Sequence, residues 1–190
     1  MSDNQRLREL AKAAKVLGLS TDPSIPSDSR RRLATADQEQ RQLTRQDLEA
    51  ICSRSGVDMG VVADLQAQAP TLVEKAKTFL TSQRPWLLQP GGALHPSHRA
   101  EACWRDCLNF FRVVLYALAC GQPQFTDQEG MAALRELYRH MGVPTDGLNI
   151  ALEQLKQLTE QEICDETSRE VVLAAFDHLI LELNKSAVKS

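Results

Sequence analysis

"HRAEACWRDCLNFFRVVLYALACG", residues 98–121, decides how the chain is read. Its second half is almost wholly apolar and too long for an ordinary strand, so it predicts a buried helix from about Ser97 to Cys120 that stops at Gly121 and Pro123. The first half opens differently, with Cys103, Arg105 and Asp106 inside one turn. At helical spacing Cys103 and Asp106 are neighbours on one face and Arg105 lies to the side. His98 and Arg99 precede them by about a turn. Two readings follow. One is a core helix with a buried cysteine and an exposed Arg/Asp pair. The other is a cradle for a long ligand that carries acidic side groups and ring N–H donors.

Outward from this helix, nearly every periodic segment has a period near 3.6 and none alternates convincingly as a strand, so the fold class is all-α. Residues 4–17 place Leu7, Leu10, Ala11, Ala14 and Leu17 on one face of an amphipathic helix. "STDPSIPSDS", residues 20–29, reads as a linker. Thr44 followed by Asp47 predicts a helix start, with Leu48 and Ile51 facing inward. Helical segments follow at 57–68 and 71–83, then the loop "RPWLLQPGGALHPS". Thr126 to Glu129 fits a capping box for a helix that reaches Met141, stopped by Gly142 and Pro144. The last two helices are expected at 145–158 and at about 160–184.

The chain has 190 residues, 43% of them hydrophobic and 25% charged, which suits a globular domain with a real core. A net charge of −3 offers no basic field for phosphates and argues against a nucleic-acid partner. The run "FFRVVLYALAC" is broken by Arg112 and too short to span a bilayer, and "MSDNQRLREL" has no apolar signal-peptide core, so a cytoplasmic location is expected. The five cysteines are odd in number and scattered through helices, which predicts free thiols.

Other chemistries fit poorly. Cys103 and Cys107 share a helix face, but no second Cys/His pair has zinc spacing, so no metal site is expected. His98, five residues before Cys103, points away from it on a helix, and no orienting Asn or Asp is evident, which argues against a thiol nucleophile and against an enzyme. A haem needs an axial histidine in an apolar pocket, whereas His140 and His178 fall near helix ends or on mixed faces.

The order of motifs resembles the phycobiliproteins, light-harvesting bilin carriers of cyanobacteria and red algae. The resemblance rests on "RPWLLQPGG" at 84–92, "HRAEACWRD" at 98–106, Arg112 and Tyr116, then "GMAALRELYRHMGVP" at 130–144, with "DQEQRQLTRQDLEAI" upstream at 37–51. It runs over roughly residues 36–183. It implies a globin-like all-helical fold with an N-terminal helical pair used for subunit association. It divides the chain into an N-terminal extension, residues 1–35, with a short helix and linker, and a phycobiliprotein-like domain, residues 36–190. It also implies phycocyanobilin attached through a thioether at Cys103. In that scheme Asp106 accepts from the pyrrole N–H groups, Arg105, Arg99 and His98 face the propionates, and Tyr116 and Tyr138 close the pocket.

Implied partners are phycobiliprotein-like subunits or a second copy, a bilin lyase, and a phycobilisome linker or photosystem component. The implied location is cytoplasmic, with peripheral attachment to the cytoplasmic face of the thylakoid. Several family features are replaced: the loop asparagine by Ala93, the Gly-Asp after the long helix by Gly121-Gln122, pairing aromatics by Gln42 and Arg54, and an arginine-rich stretch by "GVDMGVVADLQAQAP" at 56–70. Glu49 stands where an acidic pairing residue is usual. The expectation is a divergent paralog that keeps the pigment cradle better than the ring-building surfaces. The alternative is a pigment-free interaction protein whose N-terminal helix docks on a phycobilisome or photosystem component.

Overall fold

The structure is a computed structural model that describes residues 3–143 and 145–185; Pro144, expected to stop a helix, lies outside the described residues. Eight α-helices follow one another among these residues: α1 Asp3–Ala13, α2 Ser27–Gln38, α3 Arg45–Ser55, α4 Met59–Gln83, α5 Ser97–Cys120, α6 Gln128–Met141, α7 Thr145–Gln161 and α8 Glu166–Asn184, with a 3-10 turn at Pro85–Leu88. The all-α expectation holds. The one β-type pairing among the described residues is an isolated antiparallel bridge between Leu17 and Thr126.

Helix α5 is the central element and packs against α3, α4, α7 and α8. From Phe110 to Cys120 every residue except Arg112 is buried, which accounts for a sequence apolar on all sides. Phe111 stacks on Phe176 of α8 with ring centroids 5.8 Å apart. Gly121 ends the helix at φ 63°, a left-handed conformation that a side chain would strain.

The two helical segments expected at 57–68 and 71–83 are one helix, α4, which runs unbroken through Pro70. A proline leaves the carbonyl four residues earlier without its N–H donor. Here that carbonyl, on Gln66, accepts from Gln42 Nε2 at 2.6 Å. The buried Gln66 side chain in turn bonds both main-chain groups of Leu43, at 2.8 and 3.1 Å. The segment before α3 therefore supplies the bond that the proline removes.

Helix α3 begins where expected, in a capping box in which Thr44 Oγ1 accepts from the Asp47 amide and Asp47 accepts from the Thr44 amide. Asp47 is buried and also binds Arg32 at 3.1 Å and Arg41 at 2.8 Å, which ties α2 to α3 as a helical pair. Burial pushes its carboxyl up, but the Thr44 amide, Arg41, the Thr44 hydroxyl and Arg32 together hold it below the ordinary 3.8. A depressed carboxylate stabilises the fold fully above the unfolded value and loses that contribution as pH falls through the folded one. Asp47→Ala should cost about 3 kcal/mol at neutral pH, from the lost cap and the charge-assisted hydrogen bonds. Urea unfolding checks this, and the gap between wild type and Asp47→Asn should narrow below pH 4, a value set by the unfolded carboxylate.

The N-terminal quarter departs most from expectation. Helix α1 stops at Ala13, and residues 14–19 run as an extended strap. The strap is bonded to the turn before α6 through Gly18 N to Phe125 O at 2.7 Å and Asp127 N to Val16 O at 2.8 Å. The approach is so close that a Cβ on Gly130 would sit 2.2 Å from the Lys15 carbonyl oxygen. Leu17 is thus buried by the strap and not by a helix face, and Leu19, Ile25 and Leu33 join the same core.

The expected linker at 20–29 is interrupted by the start of α2 at Ser27, and the expected boundary at 35/36 falls inside that helix. Two further boundaries shift. Asp127, not Thr126, caps α6 by accepting from Gly130 N at 2.8 Å, while Thr126 Oγ1 pairs with His178 at 2.8 Å. Helix α7 persists to Gln161, and α8 starts only at Glu166 because Asp165 caps it through Ser168 N at 2.8 Å.

Candidate functional site

Helix α5 becomes buried on all sides from Phe110, and the turns before it are more polar. There Tyr138 of α6 donates its hydroxyl proton to Asp106 Oδ2 at 2.7 Å. This is the single hydrogen bond to Asp106 among the described residues, although a carboxylate can accept about four. Burial pushes the Asp106 carboxyl above its ordinary range, against the Tyr138 hydrogen bond and the nearby Arg105 charge. The same burial and the facing carboxylate push the Tyr138 phenol up, so it remains a donor.

Cys103 lies one turn before Asp106 and is buried. A hydrogen bond with Cys107 holds the Cys103 thiol below its ordinary value, while burial and the Asp106 charge oppose it. Cys107 is pushed up by that hydrogen bond and by its own burial. The two thiols therefore sit side by side on one helix face, as their i, i+4 spacing predicts.

Two cavities border Asp106. The first, about 240 Å³, is bordered by His98, Arg99, Cys103, Asp106, Met141 and Val143. The second, about 410 Å³, lies between α5, α6 and the N-terminal strap. A larger groove, about 510 Å³, runs along α4 by Pro70, Glu74 and Lys75, with no thiol on its walls.

The structure brings Cys103, Asp106, Arg99, His98 and Tyr138 to these two cavities and leaves two other expected residues elsewhere. Arg99 binds the Gly142 carbonyl across the mouth of the first cavity, so its guanidinium is fixed near Cys103. His98 is exposed at the rim. Arg105 is exposed and borders neither cavity. Tyr116 does not close the pocket: it is fully buried deeper along α5, donates to the Arg41 carbonyl and accepts from Arg112 at 2.8 Å. Ten residues separate it from Asp106, about 15 Å along a helix axis.

The reading from sequence missed Met141 and Val143, and also Phe110, which lies one turn beyond Asp106 on the same face. It gave no role at the cavity to Ala11, Ala14 or Val16, which line the second cavity through tertiary contact alone.

No group of three or more metal-ligating side chains gathers among the described residues. No described helix is long and apolar enough to cross a membrane.

Comparison with known proteins gives a consistent picture. The family described as "Phycobilisome protein" matches residues 31–183. The C-phycocyanin beta chain of Aglaothamnion neglectum is 30% identical over 66% of this chain and 74% of its own length. Allophycocyanin subunit beta-18 of Porphyra purpurea is 30% identical over 69% of this chain and 79% of its own. Among solved structures, a far-red fluorescent biliprotein derived from an allophycocyanin F subunit of Chroococcidiopsis thermalis superposes with a TM-score of 0.60 at 21% identity, covering 67% of this chain and 96% of that one.

Proposed function

The chain belongs to the phycobilisome protein family, and on that premise we propose that it binds an open-chain tetrapyrrole through Cys103 and acts as a light-harvesting-type subunit or in the handling of bilins and phycobilisomes. The observation that carries this reading is Asp106: a partly buried carboxylate with one partner, set between two cavities and one turn from a thiol whose nucleophilic form is favoured.

The donor set fits such a group. Asp106 has acceptor capacity for pyrrole N–H donors, and its charge favours a protonated, cationic ring system beside it. Arg99 can meet a propionate at the mouth of the first cavity, with His98 at the rim as a weaker partner. The Cys103 thiolate would add to the ethylidene carbon of the bilin, with a proton taken up at the neighbouring ring carbon and no group released. The bilin supplies the conjugated system that absorbs light, and phycocyanobilin is the form we propose. The protein's part is to hold it extended and keep water from it. Nothing in this scheme turns over a substrate, and the named relatives are pigment proteins.

The family and its relatives further support assembly with related subunits, including a second copy of this chain. They also support a peripheral place on the thylakoid surface as part of such an assembly. Co-expression with bilin synthesis and a matching lyase tests the reading. A coloured protein whose denatured band fluoresces with zinc is expected. A colourless product with an intact Cys103 would overturn it in favour of a pigment-free interaction protein.

A further inference from the structure

Helix α1 lies along α6, yet none of its residues is fully buried, and its apolar residues Leu7 and Leu10 are only half covered. Its outer end is held by an exposed Arg6–Glu136 ion pair, a weak tether. The strap that follows is fixed firmly by the bonds at Gly18 and Asp127 and by the close approach at Gly130. Under this arrangement lies the second cavity, with Ala11, Ala14 and Val16 on one wall and Asp106, Phe110 and Tyr138 on the other. Arg112 borders the same space, and its Nε is buried with no partner among the described residues. A cavity with Ala11, Ala14, Val16 and Phe110 on its walls beside Asp106, Tyr138 and Arg112 has room for an occupant with an apolar body and some polar edge.

The size of the first cavity points the same way. At about 240 Å³ it falls below the roughly 300–1,000 Å³ of most small-molecule sites, whereas the second cavity, about 410 Å³ and also bordered by Asp106, falls within that range. A long ligand anchored at Cys103 and bonded to Asp106 meets the second cavity at that carboxylate.

We propose that α1 and its strap form a lid over the far end of the tetrapyrrole, so that this chain shields its own pigment from water. The inference rests on the bilin reading above and adds to it a role for residues 3–19. The lid packs on the ligand through Ala11, Ala14 and Val16, and the strap acts as its hinge.

Ala14→Trp fills the second cavity while leaving Cys103 and Asp106 unchanged. Its zinc-fluorescent adduct should match wild type in amount, but fluorescence yield should drop several-fold and absorption should broaden toward the blue, because the far rings can no longer lie flat. Leu7→Asp combined with Leu10→Asp loosens the lid from outside and gives a second readout should the tryptophan prevent folding. In that variant the adduct should persist, a water-soluble oxidant should bleach it several-fold faster, and the Gly18 and Asp127 amides should remain protected from hydrogen exchange. A pigmented Ala14→Trp protein with the wild-type spectrum and yield, or an aspartate pair that bleaches no faster than wild type, would overturn the lid alone. A wild-type protein that takes no bilin overturns the lid together with the reading beneath it.

Discussion

Cys103→Ala should abolish covalent pigment on the polypeptide, with no residual zinc-fluorescent band after co-expression with bilin synthesis and a lyase. The effect is expected to be all-or-none because thiolate, not thiol, adds to an electrophilic carbon, and the five cysteines differ sharply in their access to that form. Burial pushes Cys52 to about 11 and Cys120 to about 12, which leaves almost no thiolate at neutral pH. Cys107 is pushed up by the hydrogen bond it makes with Cys103 and by its own burial. Cys164 is exposed but borders neither cavity. Only Cys103 combines a lowered thiol with a place on a cavity wall beside a guanidinium. Cys107→Ala should keep the adduct but form it more slowly, since Cys103 then loses the hydrogen bond that favours its thiolate. An adduct that survives in Cys103→Ala, or that is lost in Cys107→Ala alone, would refute the assignment.

Asp106→Asn should separate stability from pigment tuning. The substitution keeps the volume and an acceptor for Tyr138 but removes the charge. A carboxyl whose value is raised on folding binds its proton more tightly in the native state, so at neutral pH its ionisation works against the fold. The pigment-free variant should therefore unfold at slightly higher urea than wild type, and the difference should vanish at low pH, where the wild-type Asp106 carboxyl is neutral in the folded and unfolded chain alike. The pigmented variant should still carry the bilin but lose most of its long-wavelength absorption and fluorescence, because the neutral amide no longer favours the protonated ring system. A residue whose removal helps the fold and harms the pigment is held for the ligand. Equal stability and an unchanged spectrum would assign Asp106 to packing instead.

Much of this site can be read from residues 98–106 because a helix turns spacing into geometry. Cys103, Asp106 and Arg99 fall on the cavity side at intervals that any α-helix would preserve, and Tyr138 reaches Asp106 from α6 through one hydrogen bond. Where the reading failed, a bond from outside the element decided the outcome. Two segments were expected at 57–68 and 71–83, but Gln42 bonds the Gln66 carbonyl and one helix runs on through Pro70. Thr126 looked like a cap, but its hydroxyl is taken by His178 and Asp127 has that role. Tyr116 sits on the right helix but about 15 Å beyond the carboxylate it was expected to join, since helical rise carries ten residues that far.

By itself the sequence determined the all-helical class, the buried course of α5 after Phe110, the caps at Thr44 and Gly121, and the thiol–carboxylate pair on one face, all of which depend on interactions within a turn or two. Only the tertiary structure decided that residues 3–19 pack on the rest of the chain and that Ala11, Ala14, Lys15 and Val16 line the space beside Asp106. That placement depends on main-chain bonds between Val16, Gly18, Phe125 and Asp127, and on the absence of a side chain at Gly130. Backbone groups are the same at every position, so a pairing across more than a hundred residues leaves no periodicity to read.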